Sequence, residues 1–254
     1  MTTQVVKLNQ VTLGQGQPKI AVPLTGRDQA AVLAQAEQAV AAQPDLIEWR
    51  LDYYQAILDA ASYRATATKL LQLLGPIPLL TTFRTQAEGG AMALTTAAYA
   101  SIYQQVIADQ LTAALDIELF LPAAVVKPLV AAAHAAGIAV IMSSHDFEKT
   151  PPQAEIVQRL TQMVALGADV AKIAVMPQSA VDVATLLSAT AVAHQQLAVP
   201  LITMAMGELG KVSRISGQVF GSALTFGTVG AASAPGQIEL KTLRQQLQAL
   251  TLAD

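Results

Sequence analysis

Short apolar runs rich in Val, Ile, Leu and Thr alternate along this chain with longer amphipathic stretches rich in Ala, Gln and Leu. The apolar runs occupy Lys19–Leu24, Asp45–Asp52, Pro78–Arg84, Ala113–Leu119, Ile138–His145, Val170–Met176, Pro200–Met206 and Ser222–Val229. Nearly continuous apolar runs of this length suit strands buried on both faces. The stretches between them, such as Asp28–Ala42, Thr95–Gln110 and Ser179–Leu197, have helical periodicity, and Ile238–Leu250 closes the chain with another. The runs recur roughly every thirty residues, the spacing of a strand plus its crossover helix. Eight such units predict a closed (β/α)8 barrel of the TIM type; an open doubly wound sheet usually has fewer. Val5–Gln17 fits no unit. With Gly14 and Gly16, it predicts an N-terminal β-hairpin capping the barrel floor. No linker or low-complexity tract interrupts the pattern, so one catalytic domain over residues 1–254 is expected.

Composition narrows the picture. The chain has 254 residues, 53% of them hydrophobic, enough for a large core. A net charge of -3 without a basic run argues against a nucleic-acid partner. Without cysteine, disulfides and thiolate metal sites are ruled out, and a reducing compartment is the default. The opening Met-Thr-Thr-Gln lacks a signal-peptide pattern, and no apolar stretch approaches the ~20 residues a spanning helix needs. A cytoplasmic location without membrane contact is expected.

Most polar residues inside the strand runs sit toward the C-terminal halves, the end where barrel enzymes place their chemistry. Lys172 lies in the middle of Val170-Ala171-Lys172-Ile173-Ala174-Val175-Met176. A lone ammonium there is costly unless its charge is lost, paired or used. Two readings follow. It can neutralise Asp116 or Glu118, or it can be a nucleophilic amine that forms a Schiff base with a carbonyl substrate. An unperturbed lysine titrates near ~10.4, whereas amine catalysis wants ~7–8. An apolar strand and a nearby Arg50 or Arg84 would lower the value; adjacent carboxylates would oppose that.

Alternation places Glu48, Arg50 and Asp52 on one face of the second run, as either an internal salt-bridge layer or a binding set for hydroxyls and carboxylates. Arg84 ends the third run, and its planar fork suits oxygen anions. Glu88 follows in a loop, either as a solvated charge or as a partner for an imidazole. Asp116 and Glu118 share a face of the fourth run; they are read as supports for a cation rather than as an acid–base pair. Of the three histidines, His134 and His194 fall in helical segments, and His145 alone ends a strand, one strand before Lys172. Met204 and Met206 read as core filler. Gly207 and Gly210 precede Arg214, placed near a short helix start and suited to an anion. Ala231-Ala232-Ser233-Ala234-Pro235-Gly236-Gln237 is either a plain connector or a lid over the mouth.

Taken together, these residues resemble the type I 3-dehydroquinate dehydratases of the shikimate pathway. The likeness rests on Pro18-Lys19-Ile20 through Gly26, Glu48-Trp49-Arg50-Leu51-Asp52, Phe83-Arg84-Thr85 with Glu88-Gly89-Gly90, and Asp116-Ile117-Glu118. It continues through Ser143-Ser144-His145-Asp146-Phe147, Ala171-Lys172, Met206-Gly207 to Ser213-Arg214, and Ser233-Ala234-Pro235-Gly236-Gln237. The resemblance spans nearly the whole chain, and its specificity lies in joint order and spacing. It implies a barrel enzyme, usually a homodimer, that needs no metal or organic cofactor and acts on the small molecule 3-dehydroquinate. By the same resemblance Lys172 would form the Schiff base, His145 would move the proton, and Glu88 would orient His145. Arg214 would take the substrate carboxylate, Ser233 and Gln237 the closing loop, and Glu48, Arg50 and Arg84 the ring hydroxyls. Asp52, Asp116, Glu118, Met204 and Met206 would support them. The nearest rival is an aldolase of sugar phosphates; Arg214 and the Ser-Ala-Pro-Gly-Gln piece favour a carboxylate instead.

Overall fold

The computed structural model describes residues 4–230 and 233–252. Residues 1–3 and 253–254, and Ala231 and Ala232, which open the expected lid, lie outside the described residues. A hairpin comes first, β1 (Val6–Leu8) antiparallel to β2 (Val11–Leu13), turning at Asn9 with φ 51°. Then follow β3 (Lys19–Leu24), α1 (Gln29–Ala41), β4 (Leu46–Arg50), α2 (Ala60–Leu74), β5 (Leu79–Thr82) and α3 (Thr96–Asp109). The alternation continues with β6 (Ala114–Glu118), α4 (Ala123–Ala135), β7 (Ala139–Asp146), α5 (Gln153–Ala165), β8 (Val170–Val175) and α6 (Ala180–Gln196). The last elements are β9 (Leu201–Ala205), α7 (Lys211–Ile215), α8 (Gly217–Phe220), β10 (Leu224–Thr228), β11 (Ile238–Glu239) and α9 (Leu240–Ala249). Helix starts follow the local chemistry: Asp28, Thr95 and Ser179 each accept a first-turn backbone N–H, at α1, α3 and α6.

Strands β3 through β9 pair in parallel in chain order, and β10 returns to β3 through Leu224–Lys19, Thr225–Ile20 and Phe226–Ala21. The ring closes differently between β9 and β10. Leu201 bridges Ser222, Ala223 N donates to Leu201 O at 2.7 Å, and Thr203 N donates to Ser222 Oγ at 3.0 Å. A serine hydroxyl thus stands where a backbone carbonyl would have continued the ladder. Beside β10, β11 adds a short parallel strand.

Period-two alternation divides the strand residues between two cores. Ile47, Trp49, Leu115, Ile117, Ile173 and Val175 face the helices, with Trp49 stacked on Tyr63 at 5.6 Å. Leu46, Leu80, Ala114, Ile141 and Val170 face inward at the floor, where Leu8, Val11 and Leu13 of the hairpin pack against them. The hairpin therefore caps the floor, as its sequence predicts. Two residues further along the same strands stand Glu48, Thr82, Asp116, Ser143 and Lys172, all buried. The inner face thus passes from an apolar plug to a polar layer, leaving access from the C-terminal end of the strands. Leu13 is 0% exposed, so Leu13→Ala should cost about 3 kcal/mol of unfolding free energy in urea titration. Its kcat should be unchanged; a loss of kcat without loss of stability would show that the plug shapes the polar layer directly.

Candidate active site

A cavity opens at the C-terminal end of the barrel, where barrel enzymes place their chemistry. Glu48, Arg50, Arg84, Glu88, His145, Lys172, Arg214, Ser233 and Gln237 all line it, with Met204 and Met206 on its apolar side.

Lys172 is 3% exposed and points into the barrel. Its Nζ donates to Asp116 Oδ2 at 2.8 Å, lies 3.8 Å from Glu48 Oε1, and sits 4.8 Å from the centre of the Phe226 ring. Of the neighbours weighed from sequence, then, a carboxylate is the one the amine touches. Arg84 sends Nη2 to Asp116 Oδ1 at 2.8 Å, and Nη1 to Glu118 Oε1 at 2.8 Å and Ser143 Oγ at 2.9 Å. Burial works to raise the Asp116 carboxyl, but Arg84 and then Lys172 outweigh it and hold the group well below the usual carboxylate range. Thr85 secures Glu118 through its N at 2.8 Å and Oγ1 at 2.6 Å, and Thr82 Oγ1 donates to Glu48 at 2.9 Å. A buried charge network so fully bonded is rigid. Beside it, Arg50 forks onto both oxygens of Asp52 at 2.8 Å, and Asp52 also accepts from Ala91 N at 2.9 Å.

His145 ends the inner face of β7, and Ser143, two residues before it, is the register partner of Lys172. Its Nδ1 lies 2.9 Å from Glu88 Oε2, which also accepts the His145 backbone N–H at 3.1 Å. Glu88 is reached through a tight turn: Gly89 has φ 83°, and a Cβ there would stand 2.4 Å from the Phe147 ring. Burial first, then the charge of Glu118, pushes the Glu88 carboxyl up to about 8 against the pull of Arg84. Burial also pushes the imidazole well below 6.5, helped by Arg84 and Lys172. Both shifts disfavour a separated ion pair; in the tautomer whose Nδ1–H points at Glu88 Oε2, Nε2 is left as a base. A lowered imidazole value means that charging occurs only on further acidification. In a ring-nitrogen NMR titration His145 should stay uncharged as the pH falls through 6.5 and protonate only below it. A midpoint at or above 6.5 would contradict the burial argument.

Arg214 is 1% exposed, yet among the described residues no carboxylate lies within ion-pair distance. Its Nη2 donates to Pro235 O at 3.0 Å, Nη1 meets only the Met204 sulfur at 3.9 Å, and Nε has no partner among the described residues. Burial alone lowers its value to about 10. A buried guanidinium left without an acid on the wall of a cavity has unused capacity to receive an anion. The neighbouring loop is docked down: Gly207 N donates to Pro235 O at 3.2 Å, and Gly236, with φ 75°, leaves no room for a Cβ against Gly207 O at 2.2 Å. Ser233 and Gln237 bond each other, with Ser233 N to Oε1 at 2.9 Å and Nε2 to Ser233 Oγ at 3.1 Å.

Three sequence expectations need correction in detail. β4 stops at Arg50, and Asp52 lies in a 3-10 turn, Leu51–Tyr53; its carboxylate returns to Arg50 from the turn rather than from the strand face. Arg84 is not a free anion clamp, because its fork is spent on Asp116 and Glu118. Arg214 stands in the last turn of α7 rather than at its opening, so the guanidinium itself, not a helix terminus, faces the cavity. Met204 and Met206 do more than fill core, since both line the cavity. Ser143 and Phe226 were missed. Both fall on inward positions, two residues after Ile141 and Leu224, so alternation alone could have found them. His134 pairs with Asp169 at 3.0 Å on the outside and takes no part.

Comparison with known proteins agrees with this geometry. The model of the family described as type I 3-dehydroquinase matches residues 20–254. A 3-dehydroquinate dehydratase of Lactiplantibacillus plantarum is 53% identical over 247 residues, 97% of this chain and 98% of its own length. The type I 3-dehydroquinate dehydratase of Clostridium difficile, solved with covalently modified comenic acid, superposes with a TM-score of 0.95 at 39% identity over 98% of both chains. The Geobacillus kaustophilus 3-dehydroquinate dehydratase gives a TM-score of 0.95 at 37% identity, covering 98% of this chain and 97% of its own. With sequence and fold matched along nearly the full length, the chain belongs to the type I 3-dehydroquinase family.

Proposed function

We propose that this chain dehydrates 3-dehydroquinate to 3-dehydroshikimate, a step of the shikimate pathway, through an iminium formed on Lys172. The observation that carries this reading is the convergence of a buried amine, a partly buried imidazole and a buried guanidinium without an acid on one cavity. The substrate is a small polyhydroxylated ketone with a carboxylate, and each of the three groups has a complementary task on it. Arg214 takes the carboxylate. Entry of the ketone opens the Lys172–Asp116 ion pair; one ammonium proton passes to the carbonyl oxygen as the nitrogen adds at C3, giving a protonated carbinolamine. Loss of water then gives the iminium, an electron sink that acidifies the C2 proton. His145 Nε2 removes that proton, and the same imidazole protonates the departing C1 hydroxyl, which leaves as water. Hydrolysis of the conjugated imine returns the amine and releases the product, so the net change is the loss of one water. Asp116 stays ionised beside the nitrogen, and Glu88 fixes which imidazole nitrogen faces the substrate.

Incubating the purified protein with 3-dehydroquinate should produce the ultraviolet absorption of a conjugated enone. Activity on sugar phosphates with none on dehydroquinate would transfer the site to aldolase chemistry. His145→Ala should still form the imine, captured by borohydride, while elimination slows by at least about 10²-fold. Turnover close to that of the unaltered protein would remove the imidazole from its role.

A further inference from the structure

Among the groups around Lys172, one makes no hydrogen bond and has no place in the steps above. The Phe226 ring on β10 presents its face to Nζ at 4.8 Å from the ring centre, while the Asp116 carboxylate holds the same nitrogen at 2.8 Å. Phe226 is 5% exposed and lines the cavity beside Met204. An aromatic face carries negative charge density and attracts a cation within about 6 Å of its centre, most strongly where water is excluded.

The need for that face changes along the reaction. A resting ammonium has three N–H donors and can satisfy its charge on Asp116 and Glu48. An iminium nitrogen keeps a single N–H, enough for Asp116 alone, and its charge spreads over a planar C=N unit. We infer that the Phe226 ring is the second wall of a cation site for the covalent intermediate, holding the imine in its protonated form between a π face and Asp116. This inference rests on the Schiff-base reading and goes beyond it by assigning the residue that keeps the intermediate charged. Only the protonated imine withdraws electrons strongly enough to release the C2 proton.

The test varies the ring's charge density with little change in its volume. Phe226 is replaced by mono-, di- and trifluorophenylalanine, and by Phe226→Leu. Each protein is mixed with 3-dehydroquinate across a pH series and quenched with borohydride. Hydride adds to the iminium carbon and leaves a stable secondary amine on Lys172, counted by mass. The charged and titratable groups around this nitrogen are Glu48 and Arg50 on β4, Arg84 and Glu88 after β5, Asp116 and Glu118 on β6, His145 on β7, and Arg214 on α7 across the cavity. All are unchanged through the series. As fluorine withdraws density from the face, the protonated imine is favoured less, so the alkaline limb of trapping should move step by step to lower pH. For Phe226→Leu the shift should approach one pH unit, a tenfold loss, within the roughly tenfold to thirtyfold range a desolvated contact supports. A limb that stays fixed across the fluorinated series, while the unaltered protein still traps, would reduce Phe226 to packing and overturn the inference. Failure of the unaltered protein to trap at any pH would remove the Schiff-base reading and this inference with it.

Discussion

Lys172→Met should lose turnover of 3-dehydroquinate by about 10⁵-fold or more, the scale on which removing a covalent nucleophile acts. Methionine keeps the length and apolar body of the side chain and deletes only the amine. The variant should remain folded, because Asp116 keeps Arg84 Nη2 at 2.8 Å and Ser143 Oγ at 2.5 Å. A stability loss of about 2 kcal/mol is expected for the missing charge-assisted bond. Borohydride with dehydroquinate should add mass to the Lys172 peptide of the unaltered protein and to no peptide of the variant. Near-normal turnover by Lys172→Met, or an adduct on another lysine, would end the iminium mechanism.

For Arg214→Met we expect two effects of opposite sign. A fully buried guanidinium that faces no acid is a cost to the empty protein, so an apolar replacement of similar length should leave stability unchanged or raise it by about 1–3 kcal/mol. The same change should lower kcat/KM by about 10³-fold, since a desolvated carboxylate would lose its charged partner. Thermal melting and steady-state kinetics together decide the matter. A destabilised variant with an unchanged KM would make Arg214 a strut for the Pro235 carbonyl and not an anion receptor. Arg50 and Arg84 offer the contrast. Each is already forked onto a carboxylate, so replacing either should first cost stability.

Much of this architecture was legible in the sequence because it follows from local rules. The helical segments expected from Asp28, Thr95 and Ser179 begin at those residues, which cap α1, α3 and α6, and β3 spans the very residues, Lys19–Leu24, of its apolar run. Alternation also placed Glu48 with Arg50, and Asp116 with Glu118, on shared faces of β4 and β6. What was not legible depends on distances between strands. Three arginines near a mouth look alike in one dimension, and only packing shows that two are spent and one is not. Asp52 was misplaced because alternation cannot see where a strand gives way to a turn. Phe226 went unnoticed because a lone aromatic on an apolar strand reads as core; its relation to Lys172 comes from barrel closure, which brings β10 round to face β8.

That closure has a weak stitch. Where β9 meets β10, a single bridge with the Ala223 N to Leu201 O bond, and then the Ser222 hydroxyl accepting from Thr203 N, stand in place of a continuous amide ladder. Breathing of the barrel should therefore begin at this seam, and deuterium should enter the Thr203 amide before the amides of β6 to β8. The two strands that part carry Met204 and Phe226, so the wall beside the reactive nitrogen is also the panel of the vessel with the most give.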